Sequence, residues 1–299
     1  MGYSLREHGI PFVDDSTCTG CGQCVEICPD QVLHMENGHP SAGAGLLLGC
    51  IACGHCTAVC PTQSITVSGR GARSNDQMAL PTPDCRATAE QFAALAAARR
   101  SIRQFTRQEV PREILDQIIE TSATAPMGLP PSEVGVVVFP RPEQVQIFAE
   151  EACKSFDAAA AFLNPLMLAL MRPFVGKFQY EGFRDFIRPL MKMLPEMRRA
   201  GRDLFTYNAP AAMLFHYGPT SDPFDCAIVA TYASLAAESQ GLGSCMLGTS
   251  VALNQNRRFK AKYGIPQENK ISVTLIVGYP AIEFQSGIRR RLASVKYVG

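Results

Sequence analysis

Two stretches, Cys18-Thr19-Gly20-Cys21-Gly22-Gln23-Cys24-Val25-Glu26-Ile27-Cys28-Pro29 and Cys50-Ile51-Ala52-Cys53-Gly54-His55-Cys56-Thr57-Ala58-Val59-Cys60-Pro61, share the spacing C-x2-C-x2-C-x3-C-P. They lie 32 residues apart. Each is followed by a short strand-like stretch, 31–35 and 64–67, and then by a turn at Asn37-Gly38 or Ser68-Gly69. Self-similarity at a constant offset marks an internal repeat. Thiolates are soft metal ligands, and glycines at Gly20, Gly22 and Gly54 leave room for backbone to approach a bound group.

The run with a terminal Cys-Pro is the bacterial ferredoxin pattern, in which the fourth cysteine ligates the other cluster. Residues 15–68 resemble a two-cluster bacterial ferredoxin. The resemblance implies two [4Fe–4S] clusters, one on Cys18, Cys21, Cys24 and Cys60 and the other on Cys50, Cys53, Cys56 and Cys28. It also implies one-electron transfer. A pair of zinc knuckles is the competing reading, but zinc needs neither four cysteines twice nor the Cys-Pro endings. Cys85, Cys153, Cys226 and Cys245 show no ligand spacing.

The chain has 299 residues, 46% hydrophobic and 18% charged, enough for two domains with a sizeable core. Disorder and coiled coil are excluded on composition. The net charge of +1 gives no argument for nucleic acid. It hides an asymmetry. Residues 1–68 hold one basic side chain, Arg6, against six acidic ones, a net of −5, and the remainder is +6. No signal peptide is visible, and no apolar run is long enough for a membrane span. The nearest, 158–171, is broken by Asn164 and Pro165 and is expected to be buried or interfacial. Twelve cysteines in such a chain predict a reducing, cytoplasmic setting.

Residues 1–68 are thus expected to form one domain, 69–90 a linker rich in Gly, Pro and Ser, and 91–299 a second domain. Helices are expected from about Ala89 to Arg100, over 111–122, and over 223–240, the last capped by Ser221 or Asp222 and ended by Gly241. Val134–Phe139, Ala211–Tyr217 and Lys270–Gly278 read as strands, and 142–205 as helices cut by Pro165, Pro173, Pro189 and Pro195. These alternations are too few for a doubly wound sheet, so the fold class is α+β.

Three segments of the second domain carry candidate chemistry. Arg99, Arg100, Ser101 and Arg103 form a basic, hydroxyl-bearing group suited to phosphate, unless they are a solvated patch. The loop 125–132 follows, and then Gly241-Leu242-Gly243-Ser244-Cys245-Met246-Leu247-Gly248. Its G-x-G follows a helix, where the dinucleotide fingerprint requires a strand, so a Rossmann site is rejected. In this order the segments resemble the nitroreductase family of FMN enzymes over residues 91–299. The resemblance implies a three-layer α+β domain in intertwined dimers with FMN at the subunit interface. Arg99, Ser101 and Arg103 match its Arg-x-Ser-x-Arg/Lys element, and Arg100 lies within it. Ala125 and Pro126 match its second loop, but Met127 replaces Ser, Pro130 replaces Asn, and Ser132 and Glu133 replace Gln and Pro. Backbone groups of Met127, Gly128 and Leu129 are therefore expected to serve. Residues 241–248 match the third element and imply backbone donors near Leu247 and Gly248. Arg289 and Arg291 are expected to return to the phosphate, with a solvated charge run as the alternative. The tandem resembles the ferredoxin–nitroreductase fusion branch.

Residues 153–205, an expected helical insertion, carry nine basic and five acidic side chains with many Phe and Met residues. A cap over the flavin, a dock for the acidic module, and a helical pair packed on its own domain all remain open. The expected function is transfer of electrons from an external donor, such as a reduced ferredoxin, through the clusters to FMN and on to a small electron-poor acceptor: a nitroaromatic, a quinone or a conjugated compound. An electron-transfer flavoprotein, an NAD(P)H-dependent nitroreductase with an accessory module, and a flavin-destroying enzyme are the alternatives. No proton donor is assigned; Tyr180, Tyr207 and Cys245 are weak candidates.

Overall fold

A computed structural model describes residues 7–72, 76–128 and 133–299. The first unit runs β1 (Ile10–Val13), α1 (Gln23–Glu26), β2 (Leu33–Glu36), β3 (His39–Ala42), α2 (His55–Val59), β4 (Ile65–Ser68). This is βαβ twice. β1 pairs antiparallel with β4, and β2 with β3. The β2–β3 hairpin turns at Asn37 and Gly38, with φ of 50° and 84°, left-handed values that the Asn-Gly pair tolerates. Leu33, Ile65 and Val67 pack with Cys24 and Cys56 into a small core. The strands before each cysteine run, β1 and β3, are not legible in the sequence, because IPFV and HPSA are too short to show a period.

The second unit runs α3 (Ala89–Ala98), α4 (Arg112–Ala123), β5 (Val134–Phe139), α5 (Pro142–Phe162), α6 (Pro165–Met171), α7 (Lys177–Gly182), α8 (Arg188–Arg199), β6 (Ala211–Tyr217), α9 (Pro223–Ser239), β7 (Gly243–Leu247), α10 (Arg257–Lys262), β8 (Lys270–Gly278). Its four strands form one antiparallel sheet in the order β5-β6-β8-β7. Period-two alternation splits the sheet between two cores. Ala212, Leu214 and Ile276 face Phe148, Phe156 and Phe205. Ala211, Met213, Phe215, Leu275 and Val277 face Ile118 of α4 and Ala230 and Ala233 of α9. The result is helix, sheet, helix in three layers.

The strand Gly243–Leu247 has no counterpart among the strands expected from the sequence. The two glycines around its start have separate causes. Gly241 ends α9 at φ 72°, with Leu242 N–H donating to Ala237 O at 2.9 Å and Gly241 N–H to Glu238 O at 3.0 Å. At Gly243 a Cβ would collide with Ile102 Cγ1, so only glycine lets the strand approach Ile102.

Two expected breaks are absent. Pro165 opens α6, but the chain stays helical from Lys177 through Arg199 past Pro189 and Pro195. A π-helical stretch, Phe183–Ile187, precedes Pro189 and takes up the irregularity of its missing N–H. Pro195 lies inside α8 beside Leu194, both buried. Residue 153 falls within α5, so no boundary marks the expected insertion there. α8 packs on α5, while Phe162, Leu166, Phe174 and Phe178 remain exposed.

Between α8 and β6 a corner is organised by Asp203, 7% exposed. Its carboxylate accepts from the N–H groups of Phe205, Thr206 and Asn208 and from the Thr206 hydroxyl, and Arg198 lies 3.2 Å away. Burial works against its charge, but these donors outweigh burial and hold the carboxyl below its usual range. The corner carries Tyr207 and Asn208 at φ 54° and 52°, a conformation ordinary residues adopt at a cost. Among the described residues no helix is long and apolar enough to cross a membrane.

Candidate functional site

The eight cysteines of the repeat line two recesses, and the sorting is crosswise. Cys18, Cys21, Cys24 and Cys60 line one. Cys28, Cys50, Cys53 and Cys56 line the other. All eight are free thiols. Gly22 and Gly54 precede α1 and α2 in left-handed geometry, φ 76° and 74°, and each helix carries one buried cysteine, Cys24 or Cys56. Among the described residues no three Cys, His, Asp or Glu groups converge on one metal ion. Four thiols spaced around a recess suit a cubane, in which each iron takes one thiolate, and do not suit a single zinc ion.

The recesses differ in chemistry. Gly20 N–H donates to Cys18 Sγ at 3.4 Å and Ser64 N–H to Cys60 Sγ at 3.3 Å. Burial pushes the Cys24, Cys50 and Cys56 thiols up. At Cys60 burial acts the same way, but the Thr62 hydroxyl and the Ser64 N–H outweigh it and hold the thiol below its ordinary value. Asp30, two residues after Cys28, accepts from the N–H groups of Leu47, Leu48 and Gly49 and so pins the loop that delivers Cys50.

In the second unit the first and third candidate segments are stitched together. Ser101 bridges Ser244 in parallel register, and Ile102 N–H donates to Ser244 O at 2.9 Å. This sets Arg99–Arg103 against β7, whose end carries Leu247 and Gly248 before the 3-10 turn Thr249–Gln255. There the hydroxyls of Thr249 and Ser250 are buried without a hydrogen-bond partner among the described residues. Orphaned hydroxyls just past the end of β7 fit a heteroatom-rich bound group such as FMN. The Arg103 guanidinium lies 5.8 Å from the centre of the Tyr207 ring. Arg100 is turned back: its Nη1 donates to the carbonyls of Ala97 and Arg99 at the end of α3. Glu238 faces this pair; burial pushes its carboxyl up, against the pull of Arg99 and Arg100.

The tail that carries Arg289 and Arg291 starts beside this pair: Ala281 N–H donates to Gln104 O at 3.0 Å, and a Cβ on Gly287 would collide with Arg100 Nη2. Gly128, following Met127, donates its N–H to Asp225 Oδ1 at 3.1 Å, which ties that loop to the first turn of α9. Leu129, Pro130 and Ser132 lie outside the described residues. Arg289 and Arg291 are exposed on the segment 281–299, which forms no helix or strand. Cys245 is 3% exposed and packed in the core, and Tyr180 lies between the guanidiniums of Arg172 and Arg184. Sequence reasoning misses Asp225, Glu238 and Thr249. Asp225 reads only as an acidic residue in a first helical turn, and the other two carry no pattern.

Fold and sites together define a redox protein with a cluster-type module ahead of a three-layer α+β domain. The nitroreductase family profile matches residues 96–279, and the chain belongs to that family. A profile described as a 4Fe-4S dicluster domain matches residues 17–65. The chain is 45% identical over 38 residues to Ferredoxin-2 of Desulfomicrobium norvegicum, covering 13% of this chain and 54% of that protein. It thus spans about half the length of this curated relative. A nitroreductase with bound FMN from Bacteroides fragilis superposes with a TM-score of 0.52 at 19% identity, covering 70% of this chain and 99% of that one.

Proposed function

We propose that this chain is an iron–sulfur flavoenzyme that takes electrons from an external low-potential donor and reduces a small, electron-poor organic acceptor. Cys18, Cys21, Cys24 and Cys60 hold one [4Fe–4S] cluster, and Cys28, Cys50, Cys53 and Cys56 hold a second. The observation that carries this reading is the crosswise sorting of the eight cysteines into two recesses, joined in one chain to a nitroreductase-family domain. Clusters supply single electrons, and FMN accepts them singly and delivers them as a pair.

Arg99 and Arg103 bind the flavin phosphate, Ser101 the adjoining chain, and backbone N–H groups around Leu247 and Gly248 the ring edge. Met127 and Gly128, with Leu129, contribute backbone from their own loop. That loop hangs on α9, away from the 99–103 and β7 pair, and Arg289 and Arg291 lie on an exposed tail. A homodimer, in which one copy completes the other's site, reconciles these positions. No side chain is assigned as proton donor.

Anaerobic titration of the reconstituted protein tests the reading. Two clusters and one FMN take up about four electrons per chain, and a reduced ferredoxin supplies them faster than NADH or NADPH. Uptake of about two electrons, or full turnover from a nicotinamide after removal of residues 1–88, would sink it.

A further inference from the structure

Arg70 is the only charged side chain that is buried among the described residues of the first unit. It is 4% exposed in a segment whose net charge is −5 through residue 68. Its Nη1 donates to Glu7 O at 2.9 Å. Two residues on, Gly9 N–H donates to Cys50 O at 2.7 Å. A Cβ on Gly9 would lie 2.8 Å from Cys50 Sγ, so the segment passes hard against that sulfur. Arg70 and Cys50 therefore hold one short segment, 7–9, and this places the buried guanidinium one segment away from the second recess. Burial keeps salt from screening the Arg70 charge.

The other recess has no such charge among the described residues. Its sulfurs receive N–H dipoles from Gly20 and Ser64. Both effects favour the extra negative charge of a reduced cluster, but Arg70 brings a whole buried charge where the first recess has partial ones.

Resting on the two-cluster reading, we propose that Arg70 makes the two sites unequal. It holds the cluster of the Cys28, Cys50, Cys53 and Cys56 recess at the higher reduction potential, so that an electron entering the unit settles there. One electron leaves the reduced cluster of the first recess, which is oxidised, and reduces the cluster of the second. No bond is broken and no proton moves.

Redox titration of the full-length holoprotein, followed by electron paramagnetic resonance, reads this directly. Cys18→Ser and Cys28→Ser each alter one signal and so assign the two. In the wild type the second-recess cluster is reduced first. In Arg70→Gln its reduction equilibrium falls about tenfold, equivalent to about 59 mV for one electron, while the first-recess cluster keeps its midpoint. Equal movement of both midpoints, movement of neither, or first reduction of the other cluster in the wild type overturns the proposal. If Arg70→Gln fails to retain iron, Arg70→Lys keeps the charge and must keep the wild-type order; a reversed order in that variant overturns the proposal equally. Wild-type iron of about four atoms per chain instead of about eight would be a failure of the two-cluster reading, visible before Arg70 is touched.

Discussion

In the first unit, eight side chains of one chemical type line two recesses, and the chain spacing names every one of them. In the second, the segments that carry the family resemblance are held by backbone. Residues 101 and 102 are stitched to Ser244, Gly128 hangs on Asp225, and Arg289 and Arg291 lie on an exposed tail. A group bound through its own thiolates leaves a countable signature and a site that one copy of the chain completes. Segments held by backbone leave only glycines and turns in the sequence.

The strongest way to break this contrast is Cys28→Ala. Shared ligation predicts loss of the second-recess cluster, with half the iron gone and the cluster on Cys18, Cys21, Cys24 and Cys60 retained. Iron analysis with spectroscopic assignment checks it; damage confined to the first recess would mean that each run serves its own cluster.

Asp203→Ala probes whether the flavin-side scaffold stands without its cofactor. Removing the carboxylate takes away Arg198's ion-pair partner, leaves several N–H groups unpaired at a buried corner, and costs about 3 kcal/mol. Because the folded carboxyl is held down, its contribution is whole above the unfolded value of about 3.9 and is lost as pH falls through the lower folded value. Urea unfolding at about pH 7 and about pH 3 should show a variant penalty that is large at the first and smaller at the second.

Arg99→Ala, Arg103→Ala and Arg291→Ala sharpen the other half of the contrast. Each should weaken FMN binding roughly ten- to a hundredfold by fluorescence titration, with iron content unchanged. Riboflavin, which lacks the phosphate, should bind all variants alike. Unchanged FMN affinity in all three returns these residues to a solvated patch.

The smallest effect is expected at Thr88. Its side chain accepts from Gln91 N–H at 3.2 Å, while Gln91 Oε1 accepts from Thr88 N–H at 2.9 Å. Thr88→Ala should cost about 1 kcal/mol. Since α3 buries no residue, the loss should appear as faster amide exchange in 89–98 with little change in global stability.

Helices and strands with a full period are legible in the sequence: α4, α9, β5, β6 and β8 lie within a residue or two of where their apolar pattern places them. β7 is not, because its five residues, GSCML, begin with the glycine that the Ile102 contact demands and show no alternation. Pro189 and Pro195 mislead for the opposite reason. The local rule against proline is sound, but a π-helical stretch before one and burial of the other override it. The cysteine ligands are legible because their chemistry is in the side chain. Thr249 is not, because only the fold leaves its hydroxyl alone.

The crosswise sorting of the cysteines has a consequence for how the protein is made. Cys60 emerges from the ribosome 42 residues after Cys18, and it belongs with Cys18, Cys21 and Cys24. A nascent chain that ends before it holds at most three of the four thiols of that recess, while the other recess is complete once Cys56 is out. Both halves of the repeat must therefore be present before either recess of the fold has its full set of thiols.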